Sequence, residues 1–379
     1  VNDWPNKTWV SVLSKEGNLL IRRNGQLQRW RTRKVAGASV RCRGVLYHEI
    51  DADGDACTVL SYLPFPKQSA RGEDVQILEI EKNFEASQAI RLSRKFQSTT
   101  AAGSRLQIVV GENAHAKIIL DNQGEVTLAD EIEFVLHQGA NLDFISVQEW
   151  SDKTIHLGRQ HAILAKDSTF NSVVVTLGGA VVRLLPTIEY TGPGAFANLS
   201  GLYFAVDGQH LEHRLHVDHN VAGAKSRVNY KGALAGKSAR TVWIGDVYIR
   251  SNAENTDTYE LNRNLLLSDG ARADSVPNLE IETGEIVGAG HASTTGKFDD
   301  EQLFYLMSRG IPMHEARQLV IRGFFNEIVS LIKDEDLDSI QQYNMCMNKS
   351  LFPEKKIIFF FQPTIILDLN HYSIPNNIY

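Results

Sequence analysis

Imidazole is the side chain whose placement in this sequence most invites a chemical reading. The stretch EIVGAGHASTTG (285–296) sets His291 alone among Gly, Ala, Ser and Thr. An imidazole there can ligate a metal or cluster that needs close approach, or it can serve as a hydrogen-bonding turn residue. Gly288, Ala289 and Gly290 leave space around it for another chain or an inorganic group. A second concentration is GQHLEHRLHVDHN, with His210, His213, His216 and His219 at every third position. On a strand, successive side chains alternate faces, so His210 and His216 share one face and His213 and His219 the other. Neither face collects the three ligands of a mononuclear zinc site, and the expectation is a patch of partly exposed histidines.

Two other stretches approach known binding loops and fall short. KGALAGKS (231–238) resembles a phosphate loop, but only three residues separate Gly232 from Gly236 where the loop needs four. It also sits among β-like segments with no helix following, and reads as a turn. DADGD (51–55) begins like a calcium loop, yet position twelve is Tyr62 rather than the bidentate Glu. No Ser/His/Asp or Cys/His arrangement and no dinucleotide fingerprint is found, so the residues by themselves point to a non-catalytic binding or scaffold protein.

The bulk properties exclude several classes. With 43% hydrophobic and 22% charged residues in 379, the chain can bury a substantial core. A net charge of −6 argues against a nucleic-acid-binding surface. Cys42, Cys57 and Cys346 are too few and too scattered for a disulfide framework, as expected of a cytoplasmic protein. The start, VNDWPNKTWVSV, lacks the pattern of a signal peptide, and IIFFFQPTII (357–366) is too short to span a bilayer. NKT, NLS and NKS then match the glycosylation pattern by chance.

What must position these residues is a repeat. LLIRR-NG-QLQRW predicts a hairpin about Asn24-Gly25. From about 100 to 290 helical periodicity is absent, and short β-rich runs (LQIVV, KIIL, LDFISV, FNSVVVTL, VYIR) follow similar turns. Aligning the small residue after each turn gives Ala114, Ala140, Ser168, Ala195 and Ala224, in steps of 26, 28, 27 and 29 residues. Less regular copies follow at Ser238 and Ala271. A step near 27 residues with no helix favours a β-solenoid over a β-sandwich. From Phe298 the pattern turns helical, through DDEQLFYLMSRG and IPMHEARQLVIRGFFNEIVSLI, and this pair is expected to cap the solenoid's C-terminal end. The expected organisation is a short N-terminal region (1–50), a β-helix core (51–297), a C-terminal helical domain (298–335) and an atypical, apolar tail (336–379).

The segment from Asp257 to Pro312 closely resembles the core signature of the SufB/SufD family of iron–sulfur cluster assembly proteins. The resemblance is carried by NRNLLL (262–267), Pro277-Asn278-Leu279-Glu280-Ile281, the small-residue His segment, Asp300–Leu306 and Ser308-Arg309-Gly310. HLEHRLHVDHN, YKGAL and VWIGDVYIR fit as well, and the likeness runs from about residue 30 to about 333. It implies a right-handed parallel β-helix with a C-terminal α-helical domain. It further implies a non-enzymatic scaffold that pairs with SufB through the β-helix, binds the SufC ATPase through the helices, and receives sulfur from a donor system via the complex. The implied cofactor is a transient iron–sulfur cluster shared with SufB, with a flavin in the complex left open and none tightly bound to this chain alone. Many family members carry Cys where Ala289 stands, and alanine cannot coordinate iron. The departure points to the SufD type, with His291 as the metal ligand, and away from a self-sufficient SufB-like scaffold. The tail after about 335 does not match the family. The reading from another class is a metal-dependent enzyme on a β-solenoid, with the 210–219 histidines as ligands.

Overall fold

A computed structural model describes residues 13–14, 17–18, 31–35, 38–43, 76–86 and 89–332. The hairpin about Asn24-Gly25, the DADGD turn and the 336–379 tail lie outside the described residues. Two short strands, β1 (Leu13–Ser14) and β2 (Gly17–Asn18), pair antiparallel. Strands β3 (Arg31–Val35), β4 (Ala38–Arg43) and β5 (Gln76–Ile80) form an antiparallel run. This run leads in parallel into two long strands, β6 (Ile90–Val110) and β7 (His115–Leu136).

From β7 the chain coils as a parallel β-solenoid. One stack continues from the first half of β7 through β8 (Asn141–Trp150), β10 (Thr169–Gly178), β12 (Phe196–Ala205), β14 (Lys225–Leu234), β16 (Thr256–Leu266) and β18 (Ile286–Lys297). The other continues from its second half through β9 (Ile155–Leu164), β11 (Val181–Tyr190), β13 (His210–His219), β15 (Arg240–Ile249) and β17 (Arg272–Ile281). Every pairing along both stacks is parallel. Alternate residues point inward, and Phe134 packs there edge-on against Phe144 and at a tilt against Phe170, with centroids 4.7 and 4.9 Å apart.

The repeat has a stereochemical cause. Asn113, Gly139, Asp167, Gly194 and Gly223 all take positive φ, a conformation open mainly to Gly, Asn and Asp. Each is followed by one of the aligned small residues, Ala114, Ala140, Ser168, Ala195 and Ala224, all fully buried. The next residues, His115, Asn141, Thr169, Phe196 and Lys225, are register partners from strand to strand. The series continues at Asn255-Thr256. The copies at Ser238 and Ala271 belong to the other stack, where Ala239 and Ala271 precede β15 and β17, so their spacing looked irregular because two interleaved repeats were read as one.

Two helices follow, α1 (Asp300–Ser308) and α2 (Met313–Val329). Asp299 caps α1 by accepting from the Glu301 and Gln302 amides, and Gly310, at φ +84°, ends the turn after it. The pair does not cap the solenoid. Helix α2 lies against the flank, on β12 and β14. There the Lys231 ammonium donates to the Phe324 carbonyl at 2.9 Å and pairs with Glu327 at 2.8 Å. Asn229 donates to the same carboxylate at 2.8 Å. Lys231, buried on the outer face of β14, fixes the helix to that flank. Strands β17 and β18 end the two stacks, and among the described residues nothing pairs with their far edges.

Candidate functional site

His291 lies on β18, in register with Glu260 of β16. Positions 256, 258, 260, 262 and 264 of β16 are buried and alternate with exposed or half-buried ones, which makes them its inward set. Register carries that direction to Ala289, His291, Ser293 and Thr295 of β18. His291 therefore faces inward on the terminal rung, and the open end leaves its side chain 43% exposed. Ala289 stands on the same face, in register with Thr258. The small neighbours have a partly local cause, since a Cβ at Gly290 would press on the Tyr259 ring at 3.1 Å. Gly288 has no such neighbour.

The residue sequence reasoning missed is Glu260. The five fully buried inward positions of β16 are polar, Thr256, Thr258, Glu260, Asn262 and Asn264, and only Leu266 at the strand's end is apolar on that face. Four find partners. Thr256 donates to the Ala253 carbonyl at 2.8 Å, and Thr258 bonds Ser226 at 2.6 Å. Asn264 donates to Asn262 at 2.7 Å, Asn262 to the Tyr203 hydroxyl at 3.0 Å, and Tyr203 to Asn264 at 2.8 Å. Glu260 is the exception. Its side chain is 1% exposed and both carboxylate oxygens are buried without a hydrogen-bond partner among the described residues. A Cβ at Gly245 would run into its Oε2, so the carboxylate occupies room that this glycine leaves. Burial, reinforced by the charge of Asp246, pushes its pKa up to about 8. The group nearest in kind is His291, whose Nδ1 is 3.7 Å from Oε1. A five-residue polar inner set in an alternating strand just before the His segment was the signal available in the sequence.

The other candidates separate cleanly. His213 and His219 face inward and are buried, so the expected exposed patch is only half present. Burial lowers their pKa values, to about 3 and about 4. His213 stacks on Tyr203 and meets Thr176 at 3.1 Å, while His219 stacks on Tyr190 and meets Ser226 at 2.9 Å. His210 and His216 lie on the outer face, His210 beside Glu212 and His216 against Tyr248. Among the described residues no group of three or more His, Cys, Asp and Glu side chains is placed to hold a metal ion. KGALAGKS forms the end of β14 and a turn, and Gly232 is there because a Cβ would strike the Tyr203 ring. No described helix is long and apolar enough to cross a membrane.

At the far end of the solenoid a second inward carboxylate, Asp130, is fully partnered. Arg94 donates to its Oδ2 at 2.7 Å, and His156 Nε2 lies 2.7 Å from Oδ1. Burial works to raise the Asp130 pKa, but the His156 and Arg94 charges and hydrogen bonds outweigh it and hold it below the ordinary value.

Comparison with known proteins meets this geometry on the same residues. The family model described as SUF system FeS cluster assembly, SufBD core domain, matches residues 93–324, which takes in the solenoid, α1 and most of α2. An iron–sulfur cluster assembly SufBD family protein of Mycobacterium tuberculosis is 56% identical over 237 residues, 61% of this chain and 60% of the relative. One of Mycobacterium leprae is 54% identical over 233 residues, 60% of this chain and 59% of its own. The iron–sulfur cluster assembly protein SufD of Escherichia coli is 30% identical over 248 residues, 64% of this chain and 57% of its own length. The chain thus spans about 60% of the length of the curated relatives it matches. With the matched core covering more than half of its residues, the chain belongs to the SufBD family of iron–sulfur cluster assembly proteins.

Proposed function

We propose that this chain is a SufD-type, non-catalytic scaffold subunit of the SUF machinery, acting in the cytoplasm, with His291 supplying one imidazole to a nascent iron–sulfur cluster. The observation that carries this reading is the open end of the solenoid. Two terminal strands whose far edges pair with nothing among the described residues, β17 and β18, offer a template for further strands. A SufB-type partner adding there would cover the inward face that holds His291. Since Ala289 offers no ligand, that partner would bring the thiolate. The sulfur-donor system would act through the same complex. The helical pair suits a different partner. Phe304 is 72% exposed and Tyr305, Met313 and Leu319 are about half exposed. This much apolar surface on two short helices favours burial against another protein, in this reading the SufC ATPase, which would contribute all ATP hydrolysis.

The test is co-expression with SufB- and SufC-type subunits, followed by iron and sulfide analysis of the purified complex. His291→Ala is expected to leave the three-subunit assembly intact and strip most of its cluster. Leu319→Glu with Phe304→Glu is expected to lose SufC and keep SufB. Wild-type cluster content with His291→Ala would remove the ligand claim, and full retention of SufC by the helix variant would remove the docking claim.

A further inference from the structure

We propose that Glu260 and His291 form a two-donor metal site at the open end of the solenoid, with Glu260 Oε1 and His291 Nδ1 as the donors and an iron-type divalent cation as the occupant. This rests on the reading of His291 as a ligand and adds an oxygen donor to it.

Three observations carry it. The first is the spacing. At 3.7 Å the two atoms are too far apart to share a hydrogen bond. Two ligands about 2.1 Å from one tetrahedral ion stand about 3.4 Å apart, which is close to the distance observed. The second is the isolation of Glu260. Its neighbours on the same inward row, Thr258 and Asn262, are hydrogen-bonded, whereas both Glu260 oxygens are buried with no hydrogen-bond partner among the described residues. A buried carboxylate left this way is costly unless something else compensates it, and a cation does. The third is position. Glu260 lies in register beneath His291, and His291 is 43% exposed on the rung that ends the stack, so a ligand held by the imidazole would lie at the open end. Two ligands make half of a tetrahedral sphere, and the remaining positions face the open end where a second chain would add. A mixed imidazole–carboxylate pair suits iron, zinc or manganese better than the softer copper(I).

Cobalt(II) serves as the probe, because its ligand-field absorption reports coordination without cluster chemistry. It is titrated into the full-length chain and, in parallel, into the complex with its SufB-type partner, for wild type, Glu260→Gln, Glu260→Ala and His291→Ala. Saturable absorption in wild type that weakens at least about tenfold in every variant supports the site. Thermal melting of the same samples keeps the result interpretable, since Glu260→Gln preserves volume and retains the fold. Binding by Glu260→Gln that matches wild type, or no saturable binding by wild type in either form, overturns the proposal. If cobalt binding needs both residues while cluster content survives His291→Ala, the two-donor site stands and the cluster reading falls. If cluster content needs His291 while Glu260→Gln is silent in both assays, the Glu260 assignment alone falls.

Discussion

Asp130 and Glu260 are the same kind of object placed at opposite ends of one solenoid, and they have been treated in opposite ways. Each is a buried inward carboxylate, and each occupies space that a glycine leaves, Gly158 for Asp130 and Gly245 for Glu260. Asp130 is tied to Arg94 and His156, both at 2.7 Å. Among the described residues Glu260 has no hydrogen bond, and one imidazole stands 3.7 Å away. The first arrangement answers both carboxylate oxygens within the chain, near the long strands β6 and β7. The second is incomplete within the chain, and it lies where the stack ends. A buried carboxyl group left without partners at the end of the stack points to completion from outside the chain.

The largest test of this contrast is at Asp130. Asp130→Ala would leave the Arg94 guanidinium, itself 1% exposed, without its counter-charge. Breaking a buried ion pair on one side costs about 3–5 kcal/mol, read here as the shift in the urea midpoint. A loss below about 1 kcal/mol would show that Arg94 finds another partner, and the two ends would then differ less than their geometry indicates.

Between the carboxylates lie two buried imidazoles, and these set a pH dependence of known sign. Burial depresses the pKa values of His213 and His219 to about 3 and about 4. The unfolded chain, with histidine pKa values near 6.5, then binds more protons than the folded one between those limits, so stability falls as pH is lowered through that window. From pH 7 to pH 5 the expected loss is about 2 kcal/mol per histidine. His213→Gln should remove about half of the imidazole contribution to that slope while leaving the Asp130 contribution at lower pH in place. An unchanged slope would mean that His213 gains a proton at little cost, and the interior would be more polarisable than its packing implies.

Much of this organisation can be read from the chain because the constraint behind it is local. A left-handed turn residue followed by a small buried one recurs at Asn113-Ala114, Gly139-Ala140, Asp167-Ser168, Gly194-Ala195 and Gly223-Ala224, and such a pair leaves a mark in sequence. The split of the four histidines between two faces was legible for the same reason, as strand alternation is local too. Three features were not. The second stack shares the chain with the first, so its turn near Ala239 looked like an irregular member of one series. The helices were expected to cap the last rung, but the contact that places them on the flank, Lys231 with Phe324 and Glu327, joins residues more than 90 positions apart. The isolation of Glu260 depends on what its neighbours bond to, which no spacing reveals. The Asp130–His156 contact falls between: its separation of 26 residues is one rung of the repeat, whereas Arg94 reaches Asp130 from 36 residues away, on no such step.

The smallest effect, and the one of opposite sign, is expected at Glu260. Asp130→Ala breaks an ion pair with hydrogen bonds, but Glu260→Gln breaks no hydrogen bond among the described residues, because neither carboxylate oxygen has such a partner there. An amide of the same shape also removes a buried acid, so without added metal the variant should melt at the wild-type temperature or slightly above it, a gain of at most about 1 kcal/mol. A divalent cation should reverse the order. Ligand at a hundred times its dissociation constant stabilises the folded state by about 2.7 kcal/mol, and only the chain with both donors should collect that gain. Differential melting of wild type and Glu260→Gln, with and without cobalt(II), therefore separates the two ends of the solenoid in one measurement. If Glu260→Gln instead costs more than about 2 kcal/mol in the absence of metal, Glu260 is internally satisfied as Asp130 is, and the end of the stack holds a structural carboxylate rather than half of a site.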